Sequence, residues 1–264
     1  MYAFTYHRPT TVRQAANLLA KHPEAKLLAG GHSLIPVMKL RLASPSAIID
    51  MNHVEGMSGV EVKGRSVVIG AMTRHFEVAA SQTLKDVMPA LAGVPGSIGD
   101  PHVRHRGTIG GSIANNDPNA DYPAAVLGLG ATIITNKRRI LADDFFTGMF
   151  STALEPEEII TKINFPVAKK SAYQKFKHPA SGFALVGVFV SKRGSDIRVA
   201  VTGAGSNGVF RVPQFEEALK KRFAPKSIEG IAVSPDGLNT DIHASAEYRA
   251  HLIGVLAKRA LAAA

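Results

Sequence analysis

Two glycine-rich stretches constrain this chain more than any other feature. The first, 27–34, reads LLAGGHSL, so a short apolar run ends abruptly in a Gly-Gly turn. The second, 107–118, reads GTIGGSIANNDP and combines three glycines with hydroxyl, amide and carboxylate side chains. Glycine lets the backbone approach a ligand closely, and successive N–H groups in such turns form concave anion sites. A helical turn opening at 112–115 would add further N–H groups that favour an anion. We therefore expect one phosphate-rich ligand between two loops.

The composition supports a folded protein and excludes several kinds of site. The 264 residues are 45% hydrophobic, which is enough for one large domain or two ordinary ones. The chain has no cysteine, which excludes disulfides, thiolate zinc sites, iron–sulfur clusters held by this chain and a flavin tethered through sulfur. It has no tryptophan and few aromatic residues, so it offers few stacking platforms for single-stranded nucleic acid.

The formal net charge of +10 suits an anionic ligand, an acidic partner, nucleic acid or an anionic membrane surface. The basic residues are spread along the chain, and we interpret their one compact cluster, 137–139, as the solvated tip of a hairpin. No 18-residue apolar run predicts a membrane span, and His7 and Arg8 interrupt the N-terminal region where a signal peptide would need an apolar core. We expect a cytoplasmic protein, or one bound peripherally at the inner face of the membrane.

Hydrophobic periodicity predicts three successive groups of elements. Residues 1–55 alternate strands (4–7, 26–29, 47–50) with helices (12–21, 34–42), which is typical of a small α/β unit. In the following segment we expect a hairpin at 60–69, helices at 73–80 and 84–91, a loop-rich stretch at 96–106 and a third helix at 121–129. Strands are expected at 131–135, 139–142 and 159–165. A boundary is expected at 168–172. Beyond it we expect strands at 173–178, 183–191 and 197–204, helices at 214–222 and 246–263, and an irregular segment at 225–243.

The two stretches together resemble a known family. AGGHSLIP at 29–36, TIGGSIAN at 108–115 and Asp117-Pro118 are similar to the FAD-binding medium subunits of the molybdenum hydroxylases, which include aerobic carbon monoxide dehydrogenase and xanthine dehydrogenase. The resemblance covers nearly the whole chain. It implies an α+β fold: the two-lobed FAD-binding fold of the vanillyl-alcohol oxidase type (PCMH-type) at 1–170, with lobes at about 1–55 and 56–170. A small α+β C-terminal domain is implied at 171–264.

The resemblance also implies a site for non-covalently bound FAD. The residues that would wrap one side of its diphosphate are Ala29, Gly30, Gly31, His32 and Ser33, and Leu34 would also contact the cofactor. Those on the other side would be Thr108, Gly110, Gly111 and Ser112.

Four further residues have implied roles around the same cofactor. Asn115 would lie near the phosphates or the ribityl chain, and Asp117 would accept a hydrogen bond from a sugar hydroxyl. Ile160 would lie near the flavin ring and Lys175 near its polar edge. The chain departs from some relatives at Phe183, where they carry a tyrosine close to the flavin.

Other interpretations of these residues remain open. The Gly-Gly pair also suits a plain turn, and Asp117 also suits an Asx-turn before proline. His32 is either a hydrogen-bonded loop residue or a point of covalent flavin attachment. His102 and His105 are three residues apart, but no third ligand completes a metal site, so we predict none.

The function implied by the resemblance is an FAD-containing electron-transfer subunit without catalytic acid–base residues of its own. A small partner subunit with [2Fe–2S] clusters would deliver electrons, and a large partner with molybdenum-pterin would oxidise the substrate, in a dimer of heterotrimers. The acceptor would be a quinone, NAD or oxygen. A stand-alone flavin oxidase is the first alternative. A nucleic-acid-binding protein is the second, although no basic–aromatic array supports it.

Overall fold

The computed structural model describes all residues from 1 to 264, and three sheets organise them. The first sheet is parallel, in the order β1-β3-β2, and its strands are β1 (Thr5–His7), β2 (Lys26–Leu28) and β3 (Ala47–Asp50). Helices α1 (Val12–Lys21) and α2 (Leu34–Lys39) connect these strands. The predicted α/β unit is therefore confirmed, with the first glycine-rich stretch lying between β2 and α2.

The second sheet is antiparallel and has the order β4-β5-β10-β6-β7. Because β10 comes last in sequence but pairs in the centre, it ties the hairpin β4–β5 to the hairpin β6–β7. Its strands are β4 (Val60–Lys63), β5 (Ser66–Gly70), β6 (Thr132–Thr135), β7 (Arg139–Leu141) and β10 (Ile160–Pro166). A short helix α9 (Ala142–Phe145) and a two-stranded ribbon, β8 (Phe146–Gly148) and β9 (Ser151–Thr152), precede β10.

Six helices lie between β5 and β6, which is more than the sequence predicted. They are α3 (His75–Ala80), α4 (Gln82–Val87), α5 (Pro89–Gly96), α6 (Pro101–Arg106), α7 (Ile109–Asn115) and α8 (Tyr122–Gly128). The single helix predicted at 84–91 is wrong, because Pro89 begins a new helix. The loop predicted at 96–106 is also partly wrong, because the Asp100 carboxylate caps α6 by accepting from the Val103 N–H.

The third sheet is antiparallel, in the order β11-β12-β13-β14, with strands β11 (Lys170–Lys177), β12 (Ala184–Arg193), β13 (Asp196–Thr202) and β14 (Phe210–Arg211). The first eight residues of β12 are buried, as expected for a central strand. Helices α10 (Pro213–Lys221) and α11 (Ala246–Ala263) complete this part. The buried Arg249 of α11 donates to the carbonyl oxygens of Leu185 and Gly203 at 2.7 and 2.9 Å.

Two hydrophobic clusters form the interior. One spans the first two sheets, and the other lies between the third sheet and α10 and α11. Phe189 and Ala200 of the third sheet belong to the first cluster, so that sheet packs on both sides. The division into domains near residue 170 stays a prediction. None of the helices combines the length and apolar character needed to cross a membrane.

Candidate functional site

One large cavity, of about 740 Å³, lies where the three parts of the chain meet. Its walls come from residues within 26–37, 51–75, 98–121 and 154–160, and from Ser181, Gly182 and Phe183 between β11 and β12. Both glycine-rich stretches lie in these walls. The volume is within the range of roughly 300–1,000 Å³ that is typical of sites for small molecules and cofactors.

The two stretches touch each other. A β-carbon added to Gly30 would lie 2.4 Å from the carbonyl oxygen of Arg106 and 2.7 Å from Cα of Gly107. One added to Gly111 would lie 3.4 Å from Cβ of Ala29. Since the contacts of Gly30 are backbone atoms that cannot rotate away, only glycine fits there.

The first stretch presents unused hydrogen-bond donors. The backbone N–H groups of five consecutive cavity-lining residues, Gly30 to Leu34, donate to no protein acceptor. Asn52 fixes the start of this loop, because its Nδ2 donates to the Ala29 carbonyl oxygen at 3.0 Å and to Asp50 Oδ1 at 2.6 Å. Successive N–H groups of a loop that have no protein acceptor form a concave anion site, so five adjacent unpaired donors in the cavity wall indicate an anionic ligand.

The second stretch is arranged differently from the prediction. It forms α7, which begins after Thr108 and is longer than the predicted turn at 112–115. The N–H of Gly110 donates to the carbonyl oxygen of Ala71 at 2.8 Å, and that of Gly111 to Thr108 Oγ1 at 3.1 Å. The N–H of Ser112 is bonded within the helix. The prediction that these three N–H groups wrap an anion is therefore wrong, because they are already used to cap α7 and to dock it on the neighbouring segment.

What α7 offers the cavity is side chains. Thr108, Ser112 and Asn115 all line it. Asp117, which follows α7, also lines it; its Oδ1 accepts from the Asn119 N–H at 2.9 Å, while Oδ2 has no partner in the protein. The Asx-turn left open by the sequence is present, and one carboxylate oxygen remains available for a ligand.

Lys175 does not line the cavity. Its ammonium group is almost fully buried and donates to Asp121 Oδ2 at 2.9 Å and to the Ser97 carbonyl oxygen at 3.3 Å. Asp121 does line the cavity and also accepts from the Tyr173 hydroxyl at 2.6 Å. Burial raises the pKa of Asp121, against the opposing effects of Lys175 and Tyr173. Lys175 thus reaches the cavity only through Asp121.

Sequence reasoning missed a second carboxylate in the wall. Glu158 is buried and lines the cavity, yet Arg138 donates to both its oxygens at 3.0 Å and the Thr135 hydroxyl donates at 2.7 Å. Burial alone would raise the pKa of Glu158, but these bonds and one from the Glu155 N–H hold it at about 2. Glu158 is therefore an ionised, fully bonded wall residue.

His75 was also missed. It lines the cavity, is 5% exposed, and has no hydrogen-bond partner at Nδ1. Burial, with a smaller contribution from His32, lowers the pKa of His75 to about 4. A single histidine at a helix start carries no sequence signal that would distinguish it from a surface residue.

Residues 2–168 match the family model described as the FAD binding domain in molybdopterin dehydrogenase. The chain is 36% identical to the carbon monoxide dehydrogenase medium chain of Hydrogenophaga pseudoflava, covering 99% of this chain and 96% of that relative. The chain belongs to the family of FAD-binding medium subunits of the molybdenum hydroxylases. It is also 34% identical to the nicotine 6-hydroxylase medium subunit of Paenarthrobacter nicotinovorans, covering 98% of this chain and 96% of the relative.

Solved structures of this family of FAD-binding subunits show the same architecture. Carbon monoxide dehydrogenase from H. pseudoflava, in a form lacking the Mo-pyranopterin moiety, superposes with a TM-score of 0.87, covering 100% of this chain and 97% of that chain. Quinoline 2-oxidoreductase from Pseudomonas putida 86 gives a TM-score of 0.84 at 25% identity, with the same coverage. The α+β FAD-binding fold is therefore confirmed, as is the assignment to an oxidoreductase subunit with FAD as its cofactor.

The cavity fits FAD on three counts. The five unpaired N–H groups suit a diphosphate, the carboxylate oxygen of Asp117 suits a sugar hydroxyl, and the apolar wall that includes Ile98, Val103 and Ile160 suits an aromatic ring. Thirteen of the fourteen predicted residues line this one cavity, and Lys175 is the exception. The half-exposed Phe183 also lines it. No group of three or more metal-ligating side chains is present.

Proposed function

We propose that this chain is the electron-transferring FAD subunit of a molybdenum hydroxylase complex and that its FAD lies in the cavity described above. The observation that carries the placement is the run of five unpaired N–H donors from Gly30 to Leu34, pressed against the second glycine-rich stretch at Gly107. Membership of the family supports the role.

Different residues around the cavity would bind different parts of the cofactor. The N–H groups of the first stretch would bind the diphosphate, and the hydroxyls of Thr108 and Ser112, with the Asn115 amide, would add donors from the other side. Asp117 Oδ2 would accept from a sugar hydroxyl, and Ile160 would pack against the flavin ring. When bound, FAD supplies the redox chemistry, while the protein provides binding, orientation and electrostatics.

The buried cluster of Asp121, Lys175 and Tyr173 supports this site from behind. Because Lys175 and Tyr173 occupy both oxygens of Asp121, the carboxylate presents a fixed, partly neutralised surface to the cavity. No residue of the chain needs to act as a general acid or base, because the substrate would be oxidised on another subunit.

The proposed partners are a molybdenum-binding large subunit and a small subunit with [2Fe–2S] clusters, assembled as a dimer of heterotrimers. Electrons would pass from the clusters to this chain and then to a quinone, NAD or oxygen. The net charge of +10 favours docking of an acidic partner surface.

Co-purification and turnover test the proposal together. The tagged chain, purified from its native host, is expected to retain one FAD and two further subunits, one larger and one smaller. Its flavin should be reduced by the substrate of the complex only when both partners are present. Substrate oxidation by the isolated, FAD-loaded chain would instead establish a stand-alone oxidase, and a chain that takes up no FAD would contradict the placement of the site.

A further inference from the structure

His75 stands at the first position of α3 and is tied directly to the second glycine-rich stretch. Its backbone N–H donates to the carbonyl oxygen of Gly107 at 2.9 Å, and its side chain lines the cavity while remaining 95% buried. None of the sequence motifs of the site includes it. Its position therefore places an imidazole beside the point where the two stretches meet.

The ring of His75 has no partner in the protein. Nδ1 is fully buried and unbonded, and no protein group hydrogen-bonds to Nε2. The nearest aromatic ring, that of Tyr122, lies 5.3 Å away between centroids, and the Tyr122 hydroxyl is itself buried without a partner. Buried polar side chains in native proteins are nearly always bonded to protein, water or ligand. Nε2 is not among the fully buried polar atoms, so it is the ring nitrogen that a ligand in the cavity can reach.

Gly107 allows the imidazole to pack closely against the second stretch. A β-carbon at this position would lie 2.6 Å from His75 Nε2 and 2.8 Å from Cδ2, so any other residue would cover that edge of the ring. The second stretch therefore needs glycine here for the imidazole rather than for a turn. Gly107 also contacts Gly30, where the unpaired N–H groups begin.

The protonation state limits what the ring can do. With its pKa lowered to about 4, chiefly by burial, His75 is neutral near pH 7 and carries one N–H. A proton on Nδ1 would be a buried donor with no acceptor, whereas Nε2 is not fully buried and can donate to a ligand in the cavity. The tautomer protonated at Nε2 is thus the favoured one.

We propose that His75 is a further FAD-contacting residue, which donates a hydrogen bond from Nε2 to an oxygen of the cofactor beside Gly107. The inference rests on the proposed placement of FAD in this cavity. It adds a donor from a third segment of the chain, separate from both glycine-rich stretches.

Three substitutions separate the hydrogen bond from the shape of the ring. His75→Phe keeps a planar ring without nitrogen, His75→Gln can place an amide N–H near the Nε2 position, and His75→Asn is polar but too short to do so. His105→Phe is the matched control, because His105 is exposed on α6 and does not line the cavity. The apo chain is titrated with FAD, flavin fluorescence gives the dissociation constant, and circular dichroism verifies folding.

The dissociation constant is expected to rise about tenfold or more in His75→Phe and His75→Asn, to stay within about threefold in His75→Gln, and not to change in His105→Phe. The ¹⁵N signal of Nε2 should shift when FAD binds. If the Phe and Asn variants fold and bind FAD as the unmodified chain does, or if Gln is as weak as Phe, the assignment of His75 is overturned. An unmodified chain that fails to bind FAD would overturn the placement of the cofactor instead.

Discussion

Replacing Gly30 with alanine tests the close approach of the two glycine-rich stretches. The added β-carbon would lie 2.4 Å from a backbone oxygen, whereas ordinary contacts of this kind begin at 3.4 Å. The two loops must therefore separate by about 1 Å, because neither Arg106 nor Gly107 can relieve the contact by rotating a side chain.

This displacement has a predictable effect on FAD affinity. The five unpaired N–H groups are on the loop that must move, so at least one hydrogen bond to the diphosphate would be lost. A hydrogen bond to a charged group contributes about 1.5–3 kcal/mol. At about 1.4 kcal/mol for each factor of ten, the dissociation constant of FAD is expected to rise about 10- to 150-fold in Gly30→Ala.

The assay is an FAD titration of the apo chain, with thermal unfolding recorded in parallel. Gly254→Ala is the control, because Gly254 lies in α11 and an added β-carbon meets no atom within 4 Å. The control is expected to keep its FAD affinity and to be more stable by roughly 0.5–1 kcal/mol. If Gly30→Ala binds FAD with unchanged affinity, the argument that backbone contact between the stretches shapes the site is refuted.

Three further predictions concern the cavity walls. Glu158→Gln should lose up to about 2 kcal/mol of stability at pH 7, because the lowered pKa of Glu158 stabilises the fold above about pH 4.5. In the unmodified chain this contribution should disappear as the pH falls toward 2, and urea unfolding across that range measures it. The apo chain should lose stability as the pH falls from 6.5 toward 4, because His75 takes up its proton at a higher pH in the unfolded chain than in the folded one. His75 contributes at most about 1.4 kcal/mol per pH unit, and His75→Phe should flatten this dependence in thermal unfolding. Gly111→Val should weaken FAD binding in the same titration, since its β-carbon would lie 2.9 Å from the capping oxygen of Thr108, and an unchanged affinity would contradict this.

The parts of the fold that the sequence predicted are those governed by local patterns. The apolar run of β12 and the alternation of strands and helices before residue 55 are visible in single segments, and the structure reproduces them. The glycine at 30 was informative because its close approach to the backbone of Arg106 and Gly107 admits no other residue. Thirteen predicted residues therefore share one cavity, although no pattern shows that the two stretches meet.

The errors in the prediction come from interactions between distant segments. The N–H of Gly110 is used by Ala71, and the ammonium group of Lys175 by Asp121, which is 54 residues away. The local sequence predicts neither of these hydrogen bonds. His75 was missed for a related reason, because only the three-dimensional structure shows that its buried ring has no hydrogen-bond partner in the protein.

A crystal structure of the chain with bound FAD tests the central claim most directly. The account predicts diphosphate oxygens within about 3.2 Å of backbone nitrogens between Gly30 and Leu34, and a sugar hydroxyl on Oδ2 of Asp117. A diphosphate bound outside this cavity, with those N–H groups facing only solvent, would contradict it.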